Sequence, residues 1–122
     1  MNEKPPKFFA GKLSWWSLPM KELQEVVKAF NHGASPKKYK GPFTYRQNQG
    51  FPQKDMYDAV MRHMERIQAG ELIADDSQCM HWAHIAADAL MAIAGILKRK
   101  ELGIEEYASD SVNYHQLKAG GL

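Results

Sequence analysis

The longest apolar run of the chain, CMHWAHIAADALMAIAGIL from Cys79 to Leu97, limits the choice of fold more than any other stretch. It contains no proline, and its first glycine is Gly95. The run therefore predicts one uninterrupted helix. A helix that is apolar on nearly every side is typical of the centre of a small bundle. We predict such a central helix over about 78–100, with Asp76 or Ser77 as its N-cap.

The length of this run also raises the question of a membrane span, because about 20 apolar residues cross a bilayer. Two features argue against that interpretation. His81, His84 and Asp88 interrupt the run, and alanine supplies six of its nineteen residues, which lowers its hydrophobicity. The sequence therefore predicts no membrane association.

The polar residues inside the run are spaced so that they share one face of the predicted helix. His81, His84 and Asp88 stand at positions i, i+3 and i+7. Imidazoles and carboxylates are typical metal ligands and acid–base catalysts. Residues of the same chemistry that helices could bring nearby are His63, Glu71, Asp75 and Asp76. Two structural interpretations stay open, in which His84 is a core histidine bonded to Asp88 and the aspartates only cap a helix.

Size and charge limit the class of protein. The chain has 122 residues, of which 44% are hydrophobic and 25% charged, and these values predict one domain over 1–122. We divide it into an arm that is mobile or docks (1–10), a helical core (11–103) and a C-terminal segment (104–122). The net charge of +2 makes nucleic acid an unlikely partner. The N-terminus has no apolar signal core, which favours a cytoplasmic location.

Two further stretches have helical periodicity. One helix is predicted over about 18–31, where Ser17 and Pro19 form the start and Gly33 the stop. Another is predicted over about 53–69, after Pro52. No stretch of useful length alternates as a strand would. The predicted fold class is therefore all-α, a small helical bundle.

Large aromatic residues are concentrated near the N-terminus. Phe8, Phe9, Trp15 and Trp16 lie within nine residues of one another. This is more apolar surface than a small three-helix domain readily covers. We therefore expect a homo-oligomer that buries it by symmetry.

The connection over 34–53, ASPKKYKGPFTYRQNQGFPQ, is long and mixes aromatic with basic residues. It contains three prolines and two glycines, so we expect a loop. Long loops of this kind in compact domains are often functional. Two interpretations stay open: a covering loop pinned by its aromatic side chains, or a lid whose lysine and arginine side chains hold an anion.

A series of short motifs resembles the bacteriophage family of the dATP/dGTP diphosphohydrolase N-terminal domain. The similarity covers about residues 11–97, and it lies in the order and spacing of the motifs rather than in any one of them. The motifs are Lys12-Leu13, Leu18-Pro19, Gly33-Ala34, Lys38-Tyr39, Thr44-Tyr45-Arg46, Ala59 with Arg62-His63, Gly70-Glu71, and Asp76-Ser77 with His81.

The resemblance implies a nucleotide-handling protein that acts on deoxypurine nucleoside triphosphates in the cytoplasm of an infected bacterial host. It implies His63 and Glu71 as catalytic residues. It also implies Mg²⁺ or Mn²⁺ held by Glu71, Asp76 and His81. The residues implied to bind the nucleotide and its phosphates are Lys12, Lys38, Tyr39, Tyr45, Arg46 and Arg62.

The chain departs from the family pattern at several positions of these motifs. Leu72 and Ala74 stand where the family has aspartate, Gln78 stands for glycine, and Thr44-Tyr45 stands for Asn-Trp. Three functions therefore stay open. They are a nucleotide phosphohydrolase, a module that sequesters a nucleotide or a host immune signalling nucleotide without cleaving it, and an interaction or assembly protein.

Overall fold

The described residues form three α-helices. The computed structural model describes residues 11–35, 41 and 43–106. Helix α1 is Met20–Gly33, α2 is Gln53–Gln68 and α3 is His81–Glu101, and a 3₁₀ turn at Thr44–Arg46 lies between α1 and α2. Within the described residues there is no strand, and the β pairing is one isolated bridge. The predicted all-α class is confirmed.

Helix α3 packs against α1, α2 and the 3₁₀ turn. The best-buried contact joins α1 to α3, where Ala29 lies against Ala83 and Ala87. Small side chains at a helix crossing let the two backbones approach closely. Val26, Phe30 and Met80 then pack around this contact. These contacts place one end of α1 beside the first half of α3.

One side of α3 remains exposed. Trp82 is 52% exposed, Ile93 50% and Leu97 60%, although all three belong to the apolar run. Because α1 and α2 cover only part of the circumference of α3, the three described helices do not enclose it. The described part of the chain has no helix whose length and apolarity suit a bilayer crossing.

Helix α3 begins three residues later than the sequence predicts. Its N-cap is Met80, which makes no side-chain cap hydrogen bond, so the assignment of Asp76 or Ser77 as the cap is wrong. The reason is a tight turn before the helix. The Ala74 N–H donates to the Cys79 carbonyl at 2.8 Å and holds these residues outside the helix. Cys79 is therefore buried beneath the turn rather than within α3.

The other two helices differ little from the prediction. Helix α1 begins at Met20 with Pro19 at its N-cap and no side-chain cap bond, so Ser17 does not cap it. Helix α2 begins directly after Pro52, whose φ of −64° leads into the helix, and ends one residue before the predicted 69. Of the C-terminal segment predicted over 104–122, the structure describes 104–106.

Arg99 anchors the end of the long loop to α3. Its guanidinium is fully buried and donates to the carbonyl oxygens of Gln49 at 3.0 Å and Phe51 at 2.9 Å, and to the Glu106 carboxylate. The hydrogen bonds from Arg99 to the Glu106 carboxylate hold the pKa of Glu106 below its usual range. The backbones are close here, since a Cβ on Gly50 would lie 2.7 Å from the Gly95 Cα. The loop therefore ends at a fixed position beside the helices.

Candidate functional site

A polar cavity of about 490 Å³ lies between the three helices. Helix α1 contributes Ala29, His32 and Gly33 near its C-terminal end, and α2 contributes one face. Helix α3 contributes the face that carries its polar residues, and the turn before α3 contributes a carboxylate. The polar side chains at this cavity are His32, Asp55, Asp58, Arg62, His63, Asp76, His84 and Asp88. A cavity with convergent charged groups is the usual form of a small-molecule site.

His63 on α2 is the centre of a cluster of imidazoles. Its ring stacks on that of His84, with centroids 4.9 Å apart and planes 3° apart. Its centroid lies 5.1 Å from that of His81. The His32 ring meets His84 edge-on at 6.1 Å. His81, His84 and Asp88 all approach His63, which agrees with the single face predicted for them.

A chain of hydrogen bonds leads from the turn into the cavity. Glu71 Oε2 lies 2.6 Å from His81 Nε2, and His81 Nδ1 lies 2.8 Å from His63 Nδ1. His81 is only 3% exposed, so this pair of contacts is protected from solvent. The far nitrogen of His63, Nε2, lies 3.9 Å from Asp88 Oδ2. This series of contacts thus ends on His63 and Asp88, which both border the cavity.

Ser77 holds the second imidazole of the stack. Its Oγ lies 2.6 Å from His84 Nε2 and accepts the Cys79 N–H at 3.1 Å. Because the hydroxyl accepts from the backbone, its own proton is available for His84 Nε2. The tight turn that displaces the start of α3 therefore also orients an imidazole at the cavity.

Burial shifts the pKa values of His63 and Asp88, the two groups at the cavity end of this series of contacts. The pKa of Asp88 rises to about 6 because burial disfavours its charged form, although Arg62 opposes this. The pKa of His63 falls to about 4, first because of burial and then because of His84, His81 and Arg62 nearby. Asp88 Oδ2 is buried without a hydrogen-bond partner among the described residues. At neutral pH the cavity therefore presents a neutral imidazole beside a carboxylate that readily takes a proton.

The structure brings together only part of the predicted site. Arg62 and His63 border the polar cavity, and Glu71 and His81 stand directly behind it. Asp76 also borders it, with Oδ2 3.9 Å from His32 Nε2.

The other predicted binding residues lie elsewhere. Tyr45 and Arg46 border a different cavity, and Lys12 is exposed. Lys38 and Tyr39 fall outside the described residues. Their predicted contacts with a nucleotide stay predictions.

The second cavity is apolar and has a volume of about 560 Å³ between α1, α3 and the 3₁₀ turn. Aromatic residues form its rim: the Phe30 and Tyr45 ring centroids lie 5.5 Å apart, and the Arg46 guanidinium carbon lies 4.4 Å from the Phe43 centroid. Such a surface suits a planar ring with a negative group attached. Met91 borders both cavities, so they are neighbours.

The predicted metal ligands are not arranged around a common point. Among the residues that the structure describes, no group of three or more histidine, cysteine, aspartate or glutamate side chains is placed to hold a metal ion. Glu71 and His81 are hydrogen-bonded to each other, and Asp76 lies beside His32. The described geometry thus does not fit a preformed metal centre, and the Mg²⁺ or Mn²⁺ site stays a prediction.

Sequence reasoning missed two residues of the site. His32 follows the apolar stripe of α1 and has no neighbouring motif, so its approach to the cavity depends on how α1 packs on α3. Ser77 was assigned to a helix cap because its position just before an apolar run is typical of one. Its contact with His84 depends on the turn before α3, because Ser77 lies outside the helix, so no helical spacing in the sequence indicates it.

The polar cavity carries three imidazoles, four carboxylates and an arginine, and an apolar cavity lies beside it. These features define a small all-α domain with a ligand site between its helices. The family model described as dATP/dGTP diphosphohydrolase, N-terminal, matches residues 2–105 of the chain. The chain belongs to this family, as the motif order predicts. No curated protein and no solved structure is significantly similar to it.

Proposed function

We propose that the chain hydrolyses a deoxypurine nucleoside triphosphate to the monophosphate and diphosphate in the polar cavity. One observation carries the proposal: His63 Nε2 and Asp88 Oδ2 face each other at 3.9 Å on the wall that also holds Arg62. An imidazole and a carboxylate at this separation suit a water molecule bonded to both. The family relationship to a diphosphohydrolase domain supports the same chemistry.

The proposed reaction begins when water donates one O–H to His63 Nε2 and the other to Asp88. As the water oxygen forms a bond to the α-phosphorus, its proton passes to His63 Nε2. The bond between the α-phosphorus and the bridging oxygen breaks, and diphosphate leaves with the electron pair. Arg62 binds the phosphate oxygens, where its charge opposes the charge that accumulates.

The apolar cavity is the proposed position of the base. Its aromatic rim at Phe43 and Tyr45 offers faces for stacking, and Arg46 offers a positive charge. Because Met91 borders both cavities, a nucleotide can place its base in one and its phosphates in the other. Lys12, Lys38 and Tyr39 complete the proposed set of binding residues, on the resemblance alone.

The test is incubation of the purified protein with dATP, dGTP and other nucleotides, with Mg²⁺ or Mn²⁺ added in turn, followed by separation of the products. Nucleoside triphosphates usually bind these ions through phosphate oxygens. We expect a monophosphate and diphosphate. His63→Ala should abolish turnover and leave binding intact.

Arg62→Ala should weaken nucleotide affinity at least tenfold, which corresponds to about 1.4 kcal/mol. Lys28→Ala is the matched control, since it removes a positive charge from an exposed pair with Glu25 on α1. Intact nucleotides with every ion, together with equal affinity in both variants, would rule out the proposal.

A second candidate function is sequestration of a nucleotide, including a host immune signalling nucleotide, without cleavage. Ala74 stands where the family pattern has an aspartate, and it is 4% exposed in the tight turn before α3. A methyl group in this buried position cannot serve as a ligand or a base. If this function is correct, the same incubation leaves the nucleotide intact but retained by the protein.

We further infer that the chain self-associates and acts in the cytoplasm of an infected bacterium. Trp15 is 73% exposed and Trp16 96%, and the exposed side of α3 adds Ile93 and Leu97. Exposed apolar surface of this extent supports an interface. The cytoplasmic location is supported by the family relationship and by the presence of nucleotides in that compartment. An assembly protein without nucleotide chemistry is the remaining alternative.

A further inference from the structure

The hydrogen bonds behind the cavity form a series in which the central imidazole donates to one neighbour and accepts from the other. It runs from Glu71, which is partly exposed, through the buried His81 to His63 at the cavity. The contacts of 2.6 Å and 2.8 Å are both short enough for strong hydrogen bonds. Each contact needs one donor and one acceptor, so the position of every proton follows from the first group.

Glu71 sets the direction. Its Oε1 lies 3.8 Å from Arg66 Nε, and an ionised carboxylate only accepts hydrogen bonds. The bond to Glu71 Oε2 therefore requires the proton of His81 on Nε2. A neutral imidazole has a single N–H, so His81 Nδ1 is then a bare acceptor.

The second contact completes the sequence. Because His81 Nδ1 accepts, His63 must donate from Nδ1. A neutral His63 with its proton on Nδ1 has a bare Nε2, and this nitrogen is the one that faces Asp88 at the cavity. The lowered pKa of His63 agrees with a neutral ring at neutral pH.

We infer that Glu71 and His81 are positioning residues that hold His63 as the Nδ1–H tautomer, with the lone pair of Nε2 directed into the cavity. Its use as the proton acceptor for water rests on the proposed function, whereas the tautomer does not. A histidine side chain in water prefers the Nε2–H form, which would present a donor to the cavity instead. The arrangement therefore stabilises the tautomer that can act as a base.

The same chain also stabilises the charge that forms during the reaction. When His63 Nε2 takes a proton, the ring becomes cationic and its Nδ1–H becomes a stronger donor to His81. His81 in turn donates to the Glu71 carboxylate, so negative charge lies at the far end of the chain. Burial, His84, His81 and Arg62 oppose a positive charge on His63, and Asp76 favours it.

The test reads the tautomers directly. The protein is labelled with ¹⁵N at histidine, and long-range ¹H–¹⁵N correlation spectra are recorded at pH 8, above the ordinary imidazole pKa of about 6.5. Signals are assigned with His63→Gln and His81→Phe. We expect a protonated Nε2 on His81 and a protonated Nδ1 on His63. A protonated Nε2 on His63 in the unaltered protein would overturn the inference.

Glu71→Gln tests whether Glu71 determines the tautomer of His63 or only stabilises the fold. An amide can donate as well as accept, so the side chain at position 71 no longer requires the proton of His81 on Nε2. The Nε2–H form of His63 should then increase. Glu65→Gln is the matched control, because Glu65 is exposed on α2, and it should leave the spectrum unchanged. An unchanged His63 tautomer in a folded Glu71→Gln protein would contradict the role given to Glu71. If that variant does not fold, the spectrum of the unaltered protein still decides.

The outcome is independent of whether the protein hydrolyses nucleotides. The expected tautomers without turnover would support the inference and refute the hydrolase proposal. Where turnover is found, Glu71→Gln should lower kcat at least tenfold with little change in KM, because it alters the proton acceptor and not the binding groups. A change confined to KM would contradict a positioning role.

Discussion

Replacement of Arg99 is the sharpest test of how the loop is attached to the helices. Arg99 is completely buried and donates to two backbone carbonyls and to Glu106. Arg99→Met keeps most of the aliphatic stem but removes every donor and the positive charge. The Glu106 carboxylate then remains partly buried without its cationic partner, and the carbonyls of Gln49 and Phe51 lose this donor.

The expected loss of stability follows from the burial of Arg99 and the partial burial of Glu106, whose side chain is 25% exposed. Removal of one partner of a fully buried ion pair costs about 3–5 kcal/mol, so we expect about 3 kcal/mol here, including the hydrogen bonds to the two carbonyls. Domains of this kind are stable by only about 5–15 kcal/mol in total. At roughly 4 °C or more per kcal/mol, the melting temperature should fall by at least about 12 °C.

Urea unfolding followed by far-UV circular dichroism measures this loss. Lys100→Met is the control, because Lys100 is exposed on the same turn of α3 and the change removes the same charge. Glu106→Gln completes a double-mutant cycle with Arg99→Met. A loss below about 1 kcal/mol for Arg99→Met, in the range of an exposed pair, would refute the reasoning.

Three further predictions concern other parts of the molecule. Asp88→Asn should stabilise the protein at pH 7 by up to about 3 kcal/mol, because the pKa of Asp88 is raised from 3.8 to about 6 and the unaltered protein therefore loses stability as pH rises through 6. Urea unfolding should show that the variant's advantage disappears towards pH 4. Stability profiles that run parallel for the variant and the unaltered protein would contradict this. Gly50→Ala, whose Cβ would meet Gly95, should lower the melting temperature more than Gly103→Ala, which has a similar φ but open space; equal losses would mean that the close approach costs nothing. Light scattering at micromolar concentration should give a mass above the 13.9 kDa monomer, and Trp16→Ser should lower it; a monomeric mass would count against self-association.

The helices could be predicted from the sequence because their apolar residues recur with helical spacing. The start of α3 could not, because the turn before it depends on backbone hydrogen bonds between residues up to nine positions apart, which no helix-cap motif predicts. The His81 N–H donates to the Leu72 carbonyl at 3.0 Å, and Ile73 pairs with Met80. A cap residue before an apolar run predicts that the helix begins next to it. Here the hydrogen bonds of the turn delay the start of α3 to His81.

The candidate site could be predicted in part. The common face of His81, His84 and Asp88 follows from spacing, and His63 follows from the family motif. What spacing cannot supply is the partner of each group. Glu71 and His81 were predicted as metal ligands, yet in the described structure they bond to each other, because α2 and α3 form a hairpin that closes the turn over them. Lys38 and Tyr39 lie outside the described residues, so their roles stay predictions.

The position of the imidazole chain within a single helical hairpin has a consequence for local opening of the fold. Glu71, His63 and His81 all belong to α2, α3 and the turn between them, whereas α1 contributes Ala29, His32 and Gly33 to the cavity lining and no residue to the hydrogen-bonded series. Closing a hairpin between neighbouring helices costs little loop entropy, so α2 and α3 can stay paired while α1 detaches. Amide hydrogen exchange should therefore be faster in α1 than in the facing turns of α2 and α3. The cavity would then open to admit a ligand while the ordering of the protons on His63 and His81 persists.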